Sequence, residues 1–180
     1  MFALTPHLTL RPGWPEDAPA LARAIGHEAV VTKLSRVPWP YAERDARWFL
    51  DRNWTAPGPR FLIVERLGAQ RLLGSIGIHD DAGEPELGYW LTPDAWGRGY
   101  ATEAGRAVVA IARDALRLPR LRSSHFVGNA ASGRVLAKLG FRPTGRIVRQ
   151  PSLALGREVD AVETVLDLGE VRSGPMRLAA

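Results

Sequence analysis

The stretch WGRGYATEAGRAVV, Trp96 to Val109, sets two glycines one residue apart where a helical pattern begins. A Gly-x-Gly in that position is either plain turn chemistry or a cradle for phosphate. The Walker loop requires G-x-x-x-x-G-K-[ST], and that string does not occur. The dinucleotide fingerprint requires G-x-G-x-x-G/A in the first strand–turn–helix. Here Gly97-Arg98-Gly99-Tyr100-Ala101 is followed by Thr102 and lies mid-chain. A third use remains. Small residues at Gly97, Gly99 and Ala101 let an anion approach the main chain closely, and the N–H groups of a helix start bind pyrophosphate without a side-chain ligand. A turn that merely needs glycine satisfies the same letters, so the motif alone leaves both readings open.

These residues need a frame. His7 to Arg11 alternates as a first strand. Pro15, Glu16 and Asp17 open a helix whose buried stripe is Leu21, Ala24 and Ile25. Tyr41 to Trp54 is patterned as a second amphipathic helix, ended by TAPGP. The period then changes: Phe61–Glu65, Leu72–Ile78 and Glu86–Leu91 are expected as an antiparallel meander, with DDAG as the last hairpin loop. A long helix carries Ala101, Ala104, Val108, Ile111 and Ala115 on one stripe. A strand at Leu121–Val127 and a short helix from Asn129 to Leu139 follow, with Gly140 as a left-handed cap. Arg142–Gln150 and Val159–Leu168 close the chain as two strands. Antiparallel strands feeding a strand–helix–strand crossover predict a mixed sheet of α+β character.

The 180 residues are 46% hydrophobic and 24% charged, enough for one domain with its own core. That domain is expected over residues 1–168, with 169–180 as a loose tail. No apolar run approaches the roughly 18 residues that span a membrane, and MFALTPHLTLRP lacks the basic-then-apolar pattern of a signal peptide. A soluble cytoplasmic protein with no membrane partner is expected. The absence of Cys excludes disulfides, thiolate metal sites and a cysteine nucleophile, and no metal is expected. A net charge of +5 invites nucleic acid. All but two of the 24 basic residues are arginines, however, and they are scattered among acids without forming a basic block, so no nucleic-acid partner is expected.

Five blocks in order carry a resemblance: LTLRP, PWPYAERDARWFL, IVERLGAQRLLGSIGI, ELGYWLTPDAWGRGYATEA and NAASGRVLAKLGFRPTG. From Leu8 to Leu168 the chain resembles the GCN5-related N-acetyltransferase (GNAT) superfamily, and within it the branch of the ribosomal-protein N-terminal acetyltransferases. The resemblance implies a mostly antiparallel mixed sheet of about seven strands, splayed at its middle and flanked by about four helices. It implies acetyl-CoA as cosubstrate, with the pyrophosphate held by main-chain N–H groups of Gly97, Arg98, Gly99, Tyr100, Ala101 and Thr102. The pantetheine would lie as a pseudo-strand between ELGYWL and RLRSSHFV, meeting main-chain groups of Trp90 and Leu91. Two departures stand out. Trp96 replaces the Gln or Arg that often opens the turn, with Arg98 keeping a positive charge nearby. No Tyr lies between Asn129 and Phe141 to serve the leaving thiolate.

The resemblance also implies roles for side chains, each beside a plainer one. Asn129 bonds the pantetheine arm or caps its helix, a role Asn favours. Ser132 replaces the missing Tyr as thiolate acid or shares the capping. Arg134 and Lys138 reach phosphates or form a solvated helix face. Glu86, sharing a strand face with Gly88 and Trp90, is the candidate base, directly or through one water, or is merely solvated. Glu84 and His79 are weaker candidates near the same hairpin, and nothing in the sequence fixes the neighbours of His125. Trp39, Tyr41 and the loop Pro151–Gly156 are expected on the acceptor side, as pocket wall or as packing. The implied activity is direct transfer of acetyl from acetyl-CoA to a primary amine in a ternary complex. The acceptor is a protein or peptide N-terminus or a small amine, and a homodimer is compatible with this. The alternative is a non-catalytic acyl-CoA-binding module with the same fold.

Overall fold

Alternation builds the first strand of the computed structural model, which describes residues 1–53, 58–81 and 83–169. Ala3–Leu4 forms a two-residue strand (β1) on the outer edge of Leu8–Arg11 (β2), in which Leu8 and Leu10 are fully buried. After a 3-10 turn at Pro15–Asp17 comes Ala18–Ile25 (α1), burying Leu21, Ala24 and Ile25 as their spacing predicts. Glu28–Val31 (α2) is a single turn of helix, and Glu43–Asn53 (α3) is the second amphipathic helix. The expected end of that helix at Trp54 and most of the TAPGP stop lie outside the described residues, as do residues 170–180 of the expected tail.

The meander follows as Arg60–Glu65 (β3), Leu72–Asp81 (β4) and Glu84–Leu91 (β5), antiparallel throughout. Tyr100–Ala110 (α4) continues into a π-turn at Ile111–Ala115, where the Leu116 N–H reaches back five residues to the Ile111 carbonyl at 3.0 Å. Arg120–Phe126 (β6) then runs parallel to β5. Ala130–Lys138 (α5) leads through Gly140, at φ 94°, into the hairpin of Arg142–Ser152 (β7) and Arg157–Asp167 (β8). The sheet order is β1-β2-β3-β4-β5-β6-β8-β7. This is the mixed α+β sheet expected, with the short β1 as an additional edge strand and α2 as an additional helix.

Each face of the sheet has its own packing. Leu87 and Leu91 of β5 point with Ile76, Ile78 and Leu121 into the main core, which Ala104 and Val108 of α4 and Leu136 of α5 close. The opposite face carries Leu62 and Val64 against Leu21, Ala46 and Leu50 of α1 and α3, with Tyr41 and Trp90 at its margin. Among the described residues no helix is long and apolar enough to cross a membrane.

One joint in the sheet differs from the rest. Among the described residues, β5 and β6 pair only at Glu86↔Arg122. One residue further on, the buried Ser123 hydroxyl donates to the Leu87 carbonyl at 2.8 Å, a side chain standing in for a ladder bond. Beyond that tie the two strands part. The expected central splay is present and has a sharp vertex.

Candidate active site

The cradle is made by backbone. β5 ends at Leu91, the 3-10 turn Pro93–Ala95 redirects the chain, and Gly97 and Gly99 adopt φ of 74° and 81°. Such left-handed values favour glycine over any side chain. Gly99 is the N-cap of α4 and supplies no side-chain cap, so the first-turn N–H groups face outward at the positive end of the helix dipole. A Cβ on Gly97 or Gly99 would meet nothing within 4 Å, so the space in front of the main chain is open. Arg98 is exposed and stacks its guanidinium 4.9 Å from the Tyr100 ring centre. Ala101 is half-buried, and Tyr100 and Thr102 are buried beneath the turn.

Trp96 has a definite role. Its indole N–H donates to the Leu91 carbonyl at 2.8 Å, fixing the turn to the end of β5, and its ring lies 4.7 Å from the Lys33 ammonium. The residue that departs from the usual turn sequence thus acts as a brace.

The ladder register decides which main-chain groups of β5 look into the splay. The Thr92 N–H donates to the Leu73 carbonyl at 2.8 Å, and the same register pairs Trp90 with Ser75 and Gly88 with Gly77. Alternation therefore turns the even-numbered backbone groups toward β4 and the odd-numbered ones toward β6. The Trp90 main chain thus faces β4, and its side chain packs against the α1–α3 cluster. Tyr89, which no sequence motif singles out, and Leu91 present their main chain to the splay. The Leu91 carbonyl is already engaged by Trp96, which leaves its N–H.

Glu86 sits at the vertex with its side chain 17% exposed. The Ser124 hydroxyl donates to one of its carboxylate oxygens at 3.1 Å and accepts from the Gln150 amide at 2.8 Å, while His79 Nε2 stands 3.8 Å from the other oxygen. Arg122, its partner across the pairing, engages Glu84 and Glu163 instead. Glu84 is thereby committed to an ion pair, and His79 packs over Gly88 and flanks the carboxylate. Glu86 is thus held and oriented from β4, β6 and β7, which a merely solvated strand end would not be.

Across the sheet, Asn129 is the N-cap of α5, its side-chain oxygen accepting the Ser132 N–H at 3.2 Å. The capping role is Asn129's, and its amide N–H groups remain for a ligand. The Ser132 hydroxyl is 2.7 Å from the Tyr89 hydroxyl. A tyrosine does stand beside this helix start, supplied by the strand opposite. No spacing rule exposes a contact between residues 43 apart. His125 packs under Gly133 with Nδ1 against the Phe126 carbonyl at 3.0 Å. Arg134 and Lys138 are exposed on α5.

Of the residues expected on the acceptor side, Trp39 is 42% exposed, and Tyr41 is half-buried against the Ile25–Val30–Val31 cluster. Burial, reinforced by the Asp45 charge, pushes the Tyr41 phenol well up. The β7–β8 turn hooks onto this region, the Leu153 N–H donating to the Ser35 carbonyl at 3.0 Å. Pro151 and Ser152 of the expected loop belong to β7.

A splayed parallel pair beside an uncapped helix start is the scaffold of an acetyl-CoA-dependent acetyltransferase. A family model described as an acetyltransferase (GNAT) domain matches residues 7–142. YoaA of Bacillus subtilis, an uncharacterised N-acetyltransferase, is 38% identical over 90 residues, 48% of this chain and 50% of YoaA, so the match spans half of that relative. A GNAT-family acetyltransferase from Bacillus anthracis superimposes with a TM-score of 0.80 at 24% identity, covering 93% of this chain and 99% of that one. RimL, a ribosomal L7/L12 α-N-protein acetyltransferase in complex with coenzyme A, gives 0.76 at 18% identity over 93% and 98%. The chain belongs to the GNAT acetyltransferase family.

Proposed function

We propose that this protein transfers the acetyl group of acetyl-CoA to a primary amine, by direct attack within a ternary complex in the cytoplasm. The observation carrying the reading is Glu86, oriented by Ser124 at the vertex of a splay that opens toward the Gly97–Gly99 cradle. The residues fit the cosubstrate. First-turn N–H groups of α4 hold the pyrophosphate, and the main chain of Tyr89 and Leu91 lines the pantetheine.

Glu86 takes the proton of the incoming ammonium, directly or through one water, because an amine with a pKa near 8 to 10.4 arrives mostly charged. The new C–N bond forms at the acetyl carbon, the C–S bond breaks with its electron pair staying on sulfur, and the nitrogen gives its second proton to solvent as the amide forms. Ser132 meets that sulfur from α5. RimL acts on a protein N-terminus, and the acceptor proposed here is likewise an N-terminal α-amine or a small primary amine. Trp39 and the β7–β8 turn line its approach.

The test is release of free CoA from acetyl-CoA over a panel of N-terminal peptides and small amines. Turnover on at least one amine, falling by about 10²–10⁴-fold in Glu86→Gln with CoA affinity retained, is the expected result. Tight CoA binding without turnover on any amine would favour the non-catalytic module. Parallel initial-velocity lines, the mark of an acetyl-enzyme, would exclude direct attack.

A further inference from the structure

The contact between β5 and the start of α5 has a chemical consequence. Tyr89 lies two residues beyond the Ser123–Leu87 tie, where β5 has parted from β6, and its hydroxyl is 2.7 Å from Ser132 Oγ and 3.2 Å from the Ser132 carbonyl. Its ring packs against the main core, which fixes where the hydroxyl sits. Ser132 is equally fixed, because Asn129 already caps its N–H and its hydroxyl is not needed for that purpose.

Neither hydroxyl is suited to surrendering its proton outright. A cysteine thiol has an ordinary pKa of about 8.5, and a serine hydroxyl is a far weaker acid than any alkyl thiol, coenzyme A's included. Burial pushes the Tyr89 phenol up to about 12, against a smaller downward pull from Ser132, so it stays protonated through the working range. What the pair can supply is a directed hydrogen bond. The Tyr89 O–H has two acceptors on Ser132, the carbonyl at 3.2 Å and Oγ at 2.7 Å; donated along the shorter contact, it turns the Ser132 hydrogen away from Tyr89 and into the splay.

We propose that Tyr89 is a positioning residue that aims the Ser132 hydroxyl hydrogen at the leaving sulfur of coenzyme A. The inference rests on the acetyl-CoA reading above. As the C–S bond breaks, its electron pair settles on sulfur and the Ser132 O–H donates to the thiolate without giving up its proton. The thiolate takes its proton from solvent afterwards.

The test needs no acceptor amine. Coenzyme A is bound to the protein, and its thiol is titrated by the ultraviolet absorbance of the thiolate. Calorimetry confirms binding and thermal melts confirm folding. The bound thiol should titrate about one pK unit below free coenzyme A, the size of one directed hydrogen bond to an anion. Tyr89→Phe and Ser132→Ala should each restore most of that difference, and the double variant should add nothing further. In turnover, Tyr89→Phe should lower kcat about tenfold with KM for acetyl-CoA nearly unchanged. Replacing the chain's three tyrosines by fluorotyrosine, a stronger donor, should lower the bound-thiol pKa further, and this arm decides the matter even if Tyr89→Phe fails to fold. A bound thiol that titrates alike in wild type, Tyr89→Phe and the fluorinated protein would overturn this inference alone. Failure of the wild type to bind coenzyme A would overturn the acetyl-CoA reading and this one with it.

Discussion

Glu86 owes its bearing to a hydroxyl. Ser124 passes the Gln150 amide's hydrogen bond on to the carboxylate, and the chain of three fixes one oxygen while the other faces His79. Ser124→Ala should therefore lower kcat about tenfold and leave coenzyme A affinity within twofold, read from steady-state kinetics and calorimetry. Gly99 poses the complementary case. At φ 81° an alanine costs about 1–3 kcal/mol in backbone strain, yet its methyl would enter open space in the protein alone. If that space is where phosphate approaches, Gly99→Ala should weaken coenzyme A binding at least tenfold, roughly 1.4 kcal/mol, by calorimetry at a temperature where the variant is fully folded. A variant with lowered Tm and unchanged affinity would make Gly99 a turn residue only.

At the scale of elements, Asp17 joins β2 to α1. Its carboxylate takes two bonds from the Arg11 guanidinium at 2.7 and 2.8 Å and one from the Trp14 N–H at 2.8 Å. Burial pulls its pKa upward, but the Arg11 and Trp14 bonds outweigh it and the net direction is down. A carboxyl depressed in the folded state adds stability above its unfolded pKa of about 3.9 and loses it as pH falls through the folded value. Asp17→Asn should cost about 1–3 kcal/mol in urea melts at pH 7, and the difference should shrink as the pH is taken down through the folded-state value, below the unfolded pKa of about 3.9. The elements themselves were legible where pattern had length. The alternation of β2, the stripe of α1 and the Gly140 cap all follow from local residue types. β1 and α2 did not, because two and four residues hold no period. β4 runs on to Asp81, past its apolar letters, because hairpin pairing with β5 holds Asp80 and Asp81 in register. The same limit applies at the site. The glycine turn was readable because positive φ selects glycine locally. Tyr89–Ser132 and the direction of the Trp90 backbone depend on which neighbour lies across the sheet, and no single segment encodes that.

At the scale of the whole molecule, ligand binding and folding are linked. The cradle and the splay exist only in the folded chain, so coenzyme A at about 100 times its Kd should stabilise the protein by about 2.7 kcal/mol. For a chain of this length that corresponds to a rise in Tm of roughly 5–10 °C, measurable by scanning calorimetry, and nucleic acid should give no such rise.

The parting of β5 and β6 also bears on how the main chain trades hydrogen with water. Inside most sheets an interior amide is shielded by its neighbour, yet here the odd-numbered amides beyond Leu87 lie in the middle of an eight-stranded sheet with no ladder partner among the described residues. In deuterated solvent Tyr89 and Leu91 should exchange within seconds, while Trp90, bonded to β4, persists far longer. Bound coenzyme A should slow Tyr89 and Leu91 and leave Trp90 as it was. The result is an every-other-residue pattern of protection, by which the slot reports whether it is filled.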